Sequence, residues 1–176
     1  MKYALILLLL LCNAVFAQPT GYWLRQADST ADKYAYVDQQ GIIKIPYGKY
    51  EMCFTDTFKT FAIVYSKGKG FLAIDRNEAV LFEVFAVDNG PDYVSEGMFR
   101  IVKNGKIGFA DTSGIVCVEP QYTCAFPFEN GKAKVAYNCT KTNLNDPDGH
   151  YTWESNNWIF INRKGQKVST PRYVKP

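Results

Sequence analysis

The feature that most constrains this chain is a turn pattern that recurs between β-forming segments. The turns begin at Asp38, Asp75, Asp111 and Asn162, and three of the four have a glycine three residues later. The first three lie 37 and 36 residues apart, and the fourth follows after 51. An Asp or Asn side chain accepts local backbone hydrogen bonds, and glycine adopts the positive φ that leads into the next strand. The pattern predicts repeated β-hairpins.

The second copy departs from this pattern, because Glu78 stands where the other copies have glycine. A residue with a Cβ atom seldom adopts a positive φ. We therefore expect this turn to be looser or differently shaped.

Each full copy has a third β-forming segment, so the predicted unit is a three-stranded antiparallel meander. Such a unit cannot bury its apolar face alone, and neighbouring units must pack together to make a core. Hydrophobic residues make up 47% of the 176 residues, and Tyr, Phe, Val and Ile are frequent, which favours strands over helices. The sequence predicts an all-β fold, arranged as a solenoid-like stack or a twisted sheet. The units are expected at about residues 34–69, 70–107 and 108–157, with a last hairpin at 158–170.

Two runs resemble the WG (or KWG) repeat family, exported bacterial proteins built from tandem β-rich units. They are Gly-Phe-Ala-Asp-Thr-Ser-Gly-Ile-Val at 108–116 and Phe-Glu-Asn-Gly-Lys-Ala-Lys-Val at 128–135. The resemblance covers roughly residues 34–168. The Trp-Gly pair is degenerate, since 107–108 and 69–70 keep only the glycine and 158–159 keeps only the tryptophan. The resemblance implies a β-rich, mostly extracytoplasmic interaction protein, and it carries over no catalytic residues.

The first residues predict export. One lysine, a short apolar run and small residues at its end are typical of a secretory signal peptide, here residues 1–17. Val15 and Ala17 fit the positions before the cleavage site, which leaves 18–176 as a single β-repeat domain. The apolar run is too short for a comfortable membrane anchor. Acylation of Cys12 is a weaker alternative, because Leu11 stands where a small residue is expected. No other segment is apolar enough to cross a membrane, so the predicted location is secreted, periplasmic or cell-surface.

Four cysteines remain after cleavage: Cys53, Cys117, Cys124 and Cys139. An even number in an exported chain predicts two disulfides. Four cysteines allow three pairings, and the sequence does not choose among them. Free buried thiols are the alternative.

The third copy contains an insertion at about residues 138–157, which explains the spacing of 51. Long loops in compact domains are often functional. Its candidate binding residues are Asp146, Asp148, His150, Tyr151 and Trp153. Tyr151 and Trp153 alternate with Thr152, so a strand there would place both rings on one face, suited to stacking on a glycan or to a protein hot spot. The alternative is that both rings fold back as a local core.

Two other segments are less distinctive. The polar cluster at 88–93 is interpreted as an ordinary loop. The start of the mature chain, around Trp23, is expected to form a capping strand before the first copy.

No catalytic or metal site is predicted. The insertion fails as a calcium loop, because Leu144 and Ser155 occupy ligand positions. His150 is the only histidine, and no Gly-x-Ser-x-Gly or phosphate-binding motif is present. The charge of +3 is spread along the chain, which argues against nucleic acid. We expect no cofactor and a non-catalytic exported protein that binds a protein or a cell-envelope glycan. The alternatives are a structural surface scaffold, an inhibitor of an extracellular hydrolase and, least favoured, a cryptic enzyme.

Overall fold

The computed structural model describes residues 21–144 and 151–169, and every regular element in these ranges is a β-strand. The predicted signal peptide, residues 1–17, lies outside the described residues. Among the residues described, no helix is long and apolar enough to span a membrane. The predicted all-β fold is confirmed.

The strands are mostly short and all their pairings are antiparallel. In chain order they are β1 (Trp23–Asp28), β2 (Lys33–Val37), β3 (Ile43–Ile45), β4 (Met52–Cys53), β5 (Thr57–Phe58), β6 (Ala62–Ser66), β7 (Gly70–Ile74), β8 (Val80–Val84), β9 (Ala86–Val87), β10 (Gly90–Pro91), β11 (Met98–Lys103), β12 (Lys106–Asp111), β13 (Val116–Tyr122), β14 (Cys124–Ala125), β15 (Ala133–Ala136), β16 (Thr140–Asn143), β17 (Tyr151–Glu154), β18 (Ile159–Ile161) and β19 (Lys167–Val168).

Three sheets carry the repeats. The first sheet has the order β3-β2-β1-β5, the large sheet β13-β12-β11-β8-β7-β6-β4, and the last sheet β14-β15-β18-β19. Two small ribbons, β9-β10 and β16-β17, lie outside them. The expected strand at the start of the mature chain is β1, which pairs with both β2 and β5.

The four repeat turns share one hydrogen-bond network. In the third copy, Oδ1 of Asp111 accepts the backbone N–H groups of Ser113 and Ile115 at 2.9 and 3.0 Å. The Gly114 N–H donates to the Asp111 carbonyl, and the Asp111 N–H donates to the Ile115 carbonyl, both at 2.9 Å. The same four bonds recur at the turns that begin at Asp38, Asp75 and Asn162. The predicted turn chemistry is confirmed.

The expectation of a looser second turn is wrong. Glu78 adopts the left-handed conformation itself, with φ of 62°, and its N–H donates to the Asp75 carbonyl at 2.9 Å. That conformation costs a residue with a Cβ atom roughly 1–2 kcal/mol. The cost is offset by contacts to the first unit, because the Glu78 carboxylate lies 2.6 Å from Lys49 Nζ and accepts the Tyr50 hydroxyl at 3.0 Å.

The other later turns also lie against an earlier unit, the third turn against the first unit and the fourth turn against the third unit. The Thr60 hydroxyl donates to the Ser113 carbonyl at 3.2 Å. A Cβ atom on Gly114 would lie 2.6 Å from the Phe61 ring, and one on Gly165 would lie 3.3 Å from Val118. Phe61 occupies the space that a side chain would need, so the third turn requires glycine for steric reasons as well as for its positive φ.

Three apolar clusters lie between the units. The first cluster contains Tyr36, Ile45, Cys53, Phe58, Ala62, Val64, Leu72 and Ile74. The second cluster contains Phe71, Ala73, Phe82, Val84, Phe99, Ile101 and Ala110. The third cluster contains Met98, Ile107, Phe109, Val118, Tyr122, Ala125, Phe128, Ala133, Val135 and Ile161.

The hairpin of β6 and β7 separates the first two clusters. Successive strand residues point to opposite faces, so Leu72 and Ile74 face the first cluster while Phe71 and Ala73 face the second. The expectation that neighbouring units share a core is confirmed. Whether the units form a solenoid-like stack or a twisted sheet stays a prediction.

Gly108, the glycine retained from the Trp-Gly pair, sits where two strands come unusually close. A Cβ atom there would lie 2.4 Å from the Val118 carbonyl oxygen and 2.6 Å from the Pro120 nitrogen. The register between β12 and β13 is irregular beside it. Only glycine fits this approach, because both neighbouring atoms belong to the backbone.

We predict that Asp111→Ala lowers the free energy of unfolding by about 1–2 kcal/mol, because two backbone N–H groups lose their acceptor. Asp111→Asn is the matched control, since Asn162 makes the same bonds in the fourth turn. It should cost less than about 0.5 kcal/mol. Urea denaturation of both variants measures the difference. Equal losses in the two variants would contradict the role of the side-chain oxygen.

Candidate functional site

The insertion of the third copy forms a hairpin of β16 and β17, here called the insertion hairpin. Its register pairs Lys141 with Trp153 and Asn143 with Tyr151, which confirms the predicted strand. A disulfide joins Cys139, just before β16, to Cys124 in β14, with the Cα atoms 6.3 Å apart. The base of the insertion hairpin is therefore covalently tied to the last sheet.

The expected second disulfide is not formed, because Cys53 and Cys117 are free thiols. Phe54 and Val116 both pack against the second cluster. Their neighbours in sequence point the opposite way along each strand, so Cys53 lies in the first cluster and Cys117 against the third. The second cluster lies between the two thiols, and side chains that point apart cannot be bridged.

Trp153 serves as an anchor of the insertion hairpin. It is partly buried against the third cluster, and its ring contacts Phe85 and Phe126 at centroid distances of 5.8 and 5.5 Å. Tyr151 is 39% exposed on the same face, 6.1 Å from Trp153, and Lys141 Nζ lies 4.0 Å from its ring centroid. The two rings share a face, as predicted. The Trp153 ring packs back against the core, as in the alternative expectation, whereas Tyr151 is exposed.

The other three candidate binding residues of the insertion, Asp146, Asp148 and His150, lie outside the described residues. In the described ranges, no group of three His, Cys, Asp or Glu side chains could hold a metal ion.

An open groove of about 590 Å³ lies on the outer face of the last sheet, and its lining includes neither Tyr151 nor Trp153. Tyr93 and Ser95 border it on the side of the second unit. The rest of its lining comes from the third and fourth copies and includes Phe126, Glu129, Lys132, Lys134 and Phe160. This surface is named the groove below.

Strand alternation explains why lysines and rings share the groove. Ala133 and Val135 point into the third cluster, so Lys134 between them points outward. Its partner in register on β18 is Phe160, whose neighbour Ile161 is likewise buried. The last sheet therefore has one apolar face in the core and one face of lysines and aromatic rings.

The lysines of the groove lie over aromatic rings. Lys134 Nζ is 4.5 Å from the centroid of Trp158 and 5.5 Å from that of Phe126. Lys132 Nζ is 5.5 Å from the centroid of Phe160. The negative face of a ring attracts a cation, and this attraction holds each ammonium group beside the groove without using its N–H donors.

A buried ion pair holds the segment that presents Tyr93. Asp92 accepts hydrogen bonds from Nη2 and Nε of Arg100 at 2.5 and 2.9 Å. Both side chains are almost completely buried. The Arg100 guanidinium also lies 4.3 Å from the Phe85 ring centroid and donates to the Ala125 carbonyl. The 88–93 segment is therefore more than an ordinary loop. It is fixed to the large sheet and to the start of the groove.

Comparison with known proteins gives one match. The family model described as "WG containing repeat" matches residues 107–138, which span β12 to β15. No curated protein and no solved structure matches the chain significantly. The match confirms the resemblance found in the sequence for this segment, which is similar to a WG repeat. The matched segment also supplies Phe126, Lys132 and Lys134 to the groove.

Sequence reasoning placed the candidate site at the insertion and missed the groove. A signal was present, because Lys132 and Lys134 flank a buried alanine and Trp158 and Phe160 flank Ile159. Two strands with this alternation would each show an outward face of lysines or of rings. Only the pairing of β15 with β18 shows that these two faces coincide.

We predict that Asp92→Ala lowers the free energy of unfolding by about 3–5 kcal/mol, because Arg100 is left buried without its counter-charge. Asp56→Ala is the matched control, since Asp56 pairs with Arg25 at 2.6 Å but its side chain is 79% exposed. That loss should stay below about 1 kcal/mol. Urea denaturation measures both. A similar small loss in the two variants would contradict an anchoring role for Asp92.

We predict that native Cys117 reacts with iodoacetamide before Cys53 at pH 8. Burial raises the pKa of the Cys53 thiol to about 11, and Cys53 is 2% exposed, so its thiolate is scarce and shielded. Burial and, secondarily, the Asp111 charge also raise the pKa of Cys117, which is less buried. Peptide mapping without reductant should show a linked Cys124–Cys139 pair. A Cys53–Cys117 linkage in the native protein would overturn the assignment.

Proposed function

We propose that this chain is an exported, non-catalytic binding protein that recognises a glycan through the groove. The observation that carries the proposal is an open groove on a sheet face, bordered by exposed and half-buried aromatic rings and by lysines. Ligand sites typically combine apolar and aromatic walls with a few polar groups that fix orientation. A disulfide and a WG repeat are compatible with a secreted, periplasmic or cell-surface protein.

Tyr93 supplies the ring face that a sugar would use. Its side chain is 57% exposed, and among the described residues no other aromatic ring or cation lies against it. The buried pair of Asp92 and Arg100 fixes the backbone next to it. A rigid exposed ring contributes contact area at a small entropic cost.

The location of the groove favours a glycan over an extended peptide. Extended peptides usually add as a strand to an exposed sheet edge. Lys134 lies on β15, which is paired on one side with β14 and on the other with β18. The backbone donors and acceptors of this strand are used within the sheet, so recognition must come from side chains.

We predict that Tyr93→Ala reduces glycan binding at least about tenfold, the effect of losing roughly 1.4 kcal/mol of stacking and contact energy. Binding is measured on a panel of immobilised neutral and acidic polysaccharides. Tyr22→Ala is the matched control, because Tyr22 is 38% exposed and lines other surface depressions. It should leave binding unchanged.

Two results would contradict the proposed function. If the wild-type chain is retained by no polysaccharide on the panel, the structural scaffold is the better explanation. If Tyr22→Ala and Tyr93→Ala weaken binding equally, the groove is not the recognition surface.

A further inference from the structure

We propose that the groove selects an acidic polysaccharide, one that carries carboxylates along an extended backbone. This inference rests on the proposed function and names the class of its ligand. The observation behind it is that Lys132 and Lys134 are held over aromatic rings beside the groove, without a carboxylate partner among the described residues.

The N–H donors of these two lysines are free, unlike those of the basic residues that form close ion pairs. Lys44, Lys49 and Arg100 each lie within 3.0 Å of a carboxylate oxygen. Within 21–144 and 151–169, Lys132 and Lys134 form no such ion pair, and their contacts are with ring faces. A ring holds an ammonium group in place and leaves its three N–H donors for an incoming anion.

The charge balance of the groove favours an anion. Glu129 is the one acidic residue among those that line it, against two lysines. Nearby Glu96 is already engaged, because it accepts the Gly131 N–H at 2.9 Å and lies 3.6 Å from Arg163. A net positive groove attracts anionic ligands and repels cationic ones.

The geometry favours a polymer with repeated charges. Lys132 and Lys134 are two residues apart along an extended segment, so their Cα atoms are separated by about 7 Å and both side chains lie on one face. Their Nζ atoms lie over rings, that of Lys132 5.5 Å from the Phe160 centroid and that of Lys134 4.5 Å from the Trp158 centroid. A neutral sugar would leave the two cations unused, whereas an acidic polymer can use both cations and the Tyr93 ring.

Charge also argues against two other occupants of the groove, namely residues 170–176 and a second copy of the chain. Residues 170–176 of this chain carry Arg172 and Lys175 and no Asp or Glu. A second copy of the chain would also bring a net positive charge to a positive groove. Both would place like charges together, which costs binding energy.

The test compares polygalacturonate with the same polymer after its carboxyl groups are reduced to alcohols, using the full mature chain in calorimetry. Lys132→Gln/Lys134→Gln should weaken polygalacturonate binding at least tenfold, and Lys132→Arg/Lys134→Arg should retain it. Lys67→Gln/Lys103→Gln is the matched control, with the same loss of charge on exposed residues at hairpin ends that do not line the groove. It should change binding less than twofold. Thermal unfolding establishes that every variant is folded.

The outcomes separate this inference from the proposed function. Equal affinity for the acidic and the reduced polymer, lost in Tyr93→Ala but not in the lysine variants, overturns the acidic class and leaves glycan binding intact. Binding of neither polymer, together with no retention on the panel, overturns both. Equal weakening in the two Lys→Gln pairs shows non-specific charge attraction and overturns the inference.

Three further experiments test other occupants of the groove. Poly-glutamate bound as tightly as polygalacturonate, with the same lysine dependence, would assign the groove to an acidic protein instead. A chain ending at residue 169 that binds at least tenfold more tightly would show that residues 170–176 fill the groove. Dimerisation that is broken by Lys132→Gln/Lys134→Gln would assign the groove to a second copy. Each of these results overturns the inference.

Discussion

Burial of both faces of the central hairpins is the interaction on which the rest of the structure depends. Strand β7 sends Leu72 and Ile74 into one cluster and Phe71 and Ala73 into the next. A single two-stranded hairpin is marginally stable at best in water, because it buries too little apolar surface. Because each hairpin completes two clusters, no unit reaches its folded state without its neighbours. Strands and turns are then placed by the packing between units.

The turns contribute to this packing, because each later turn both shapes the backbone and contacts another unit. One Asp or Asn oxygen organises each turn, and the later turns lie against an earlier unit. Glu78 and Gly114 occupy equivalent positions but meet different neighbours. Glu78 reaches Lys49 and Tyr50, whereas Gly114 faces the Phe61 ring. The same backbone conformation is thus stabilised by a polar contact in one copy and required by steric exclusion in another.

The groove lies where this two-sided burial ends. Ala133, Val135 and Ile161 close the third cluster from one face of the last sheet. The opposite face has no further repeat packed on it among the described residues, and it carries Lys134 and Phe160. Terminal units of repeat proteins need a face that is compatible with water. Here that need is met by lysines lying over rings, which also makes the face suited to an anionic ligand.

The sequence by itself determined the hairpins and the shared core, because turn chemistry and strand alternation act between near neighbours in the chain. It also indicated the strand at Tyr151 and an oxidised cysteine pair. Only the tertiary structure decided which cysteines pair, how Asp92 is buried against Arg100, and that β15 and β18 bring lysines and rings to one face. These features depend on contacts between residues far apart in sequence, and local patterns carry no information about which distant strands meet.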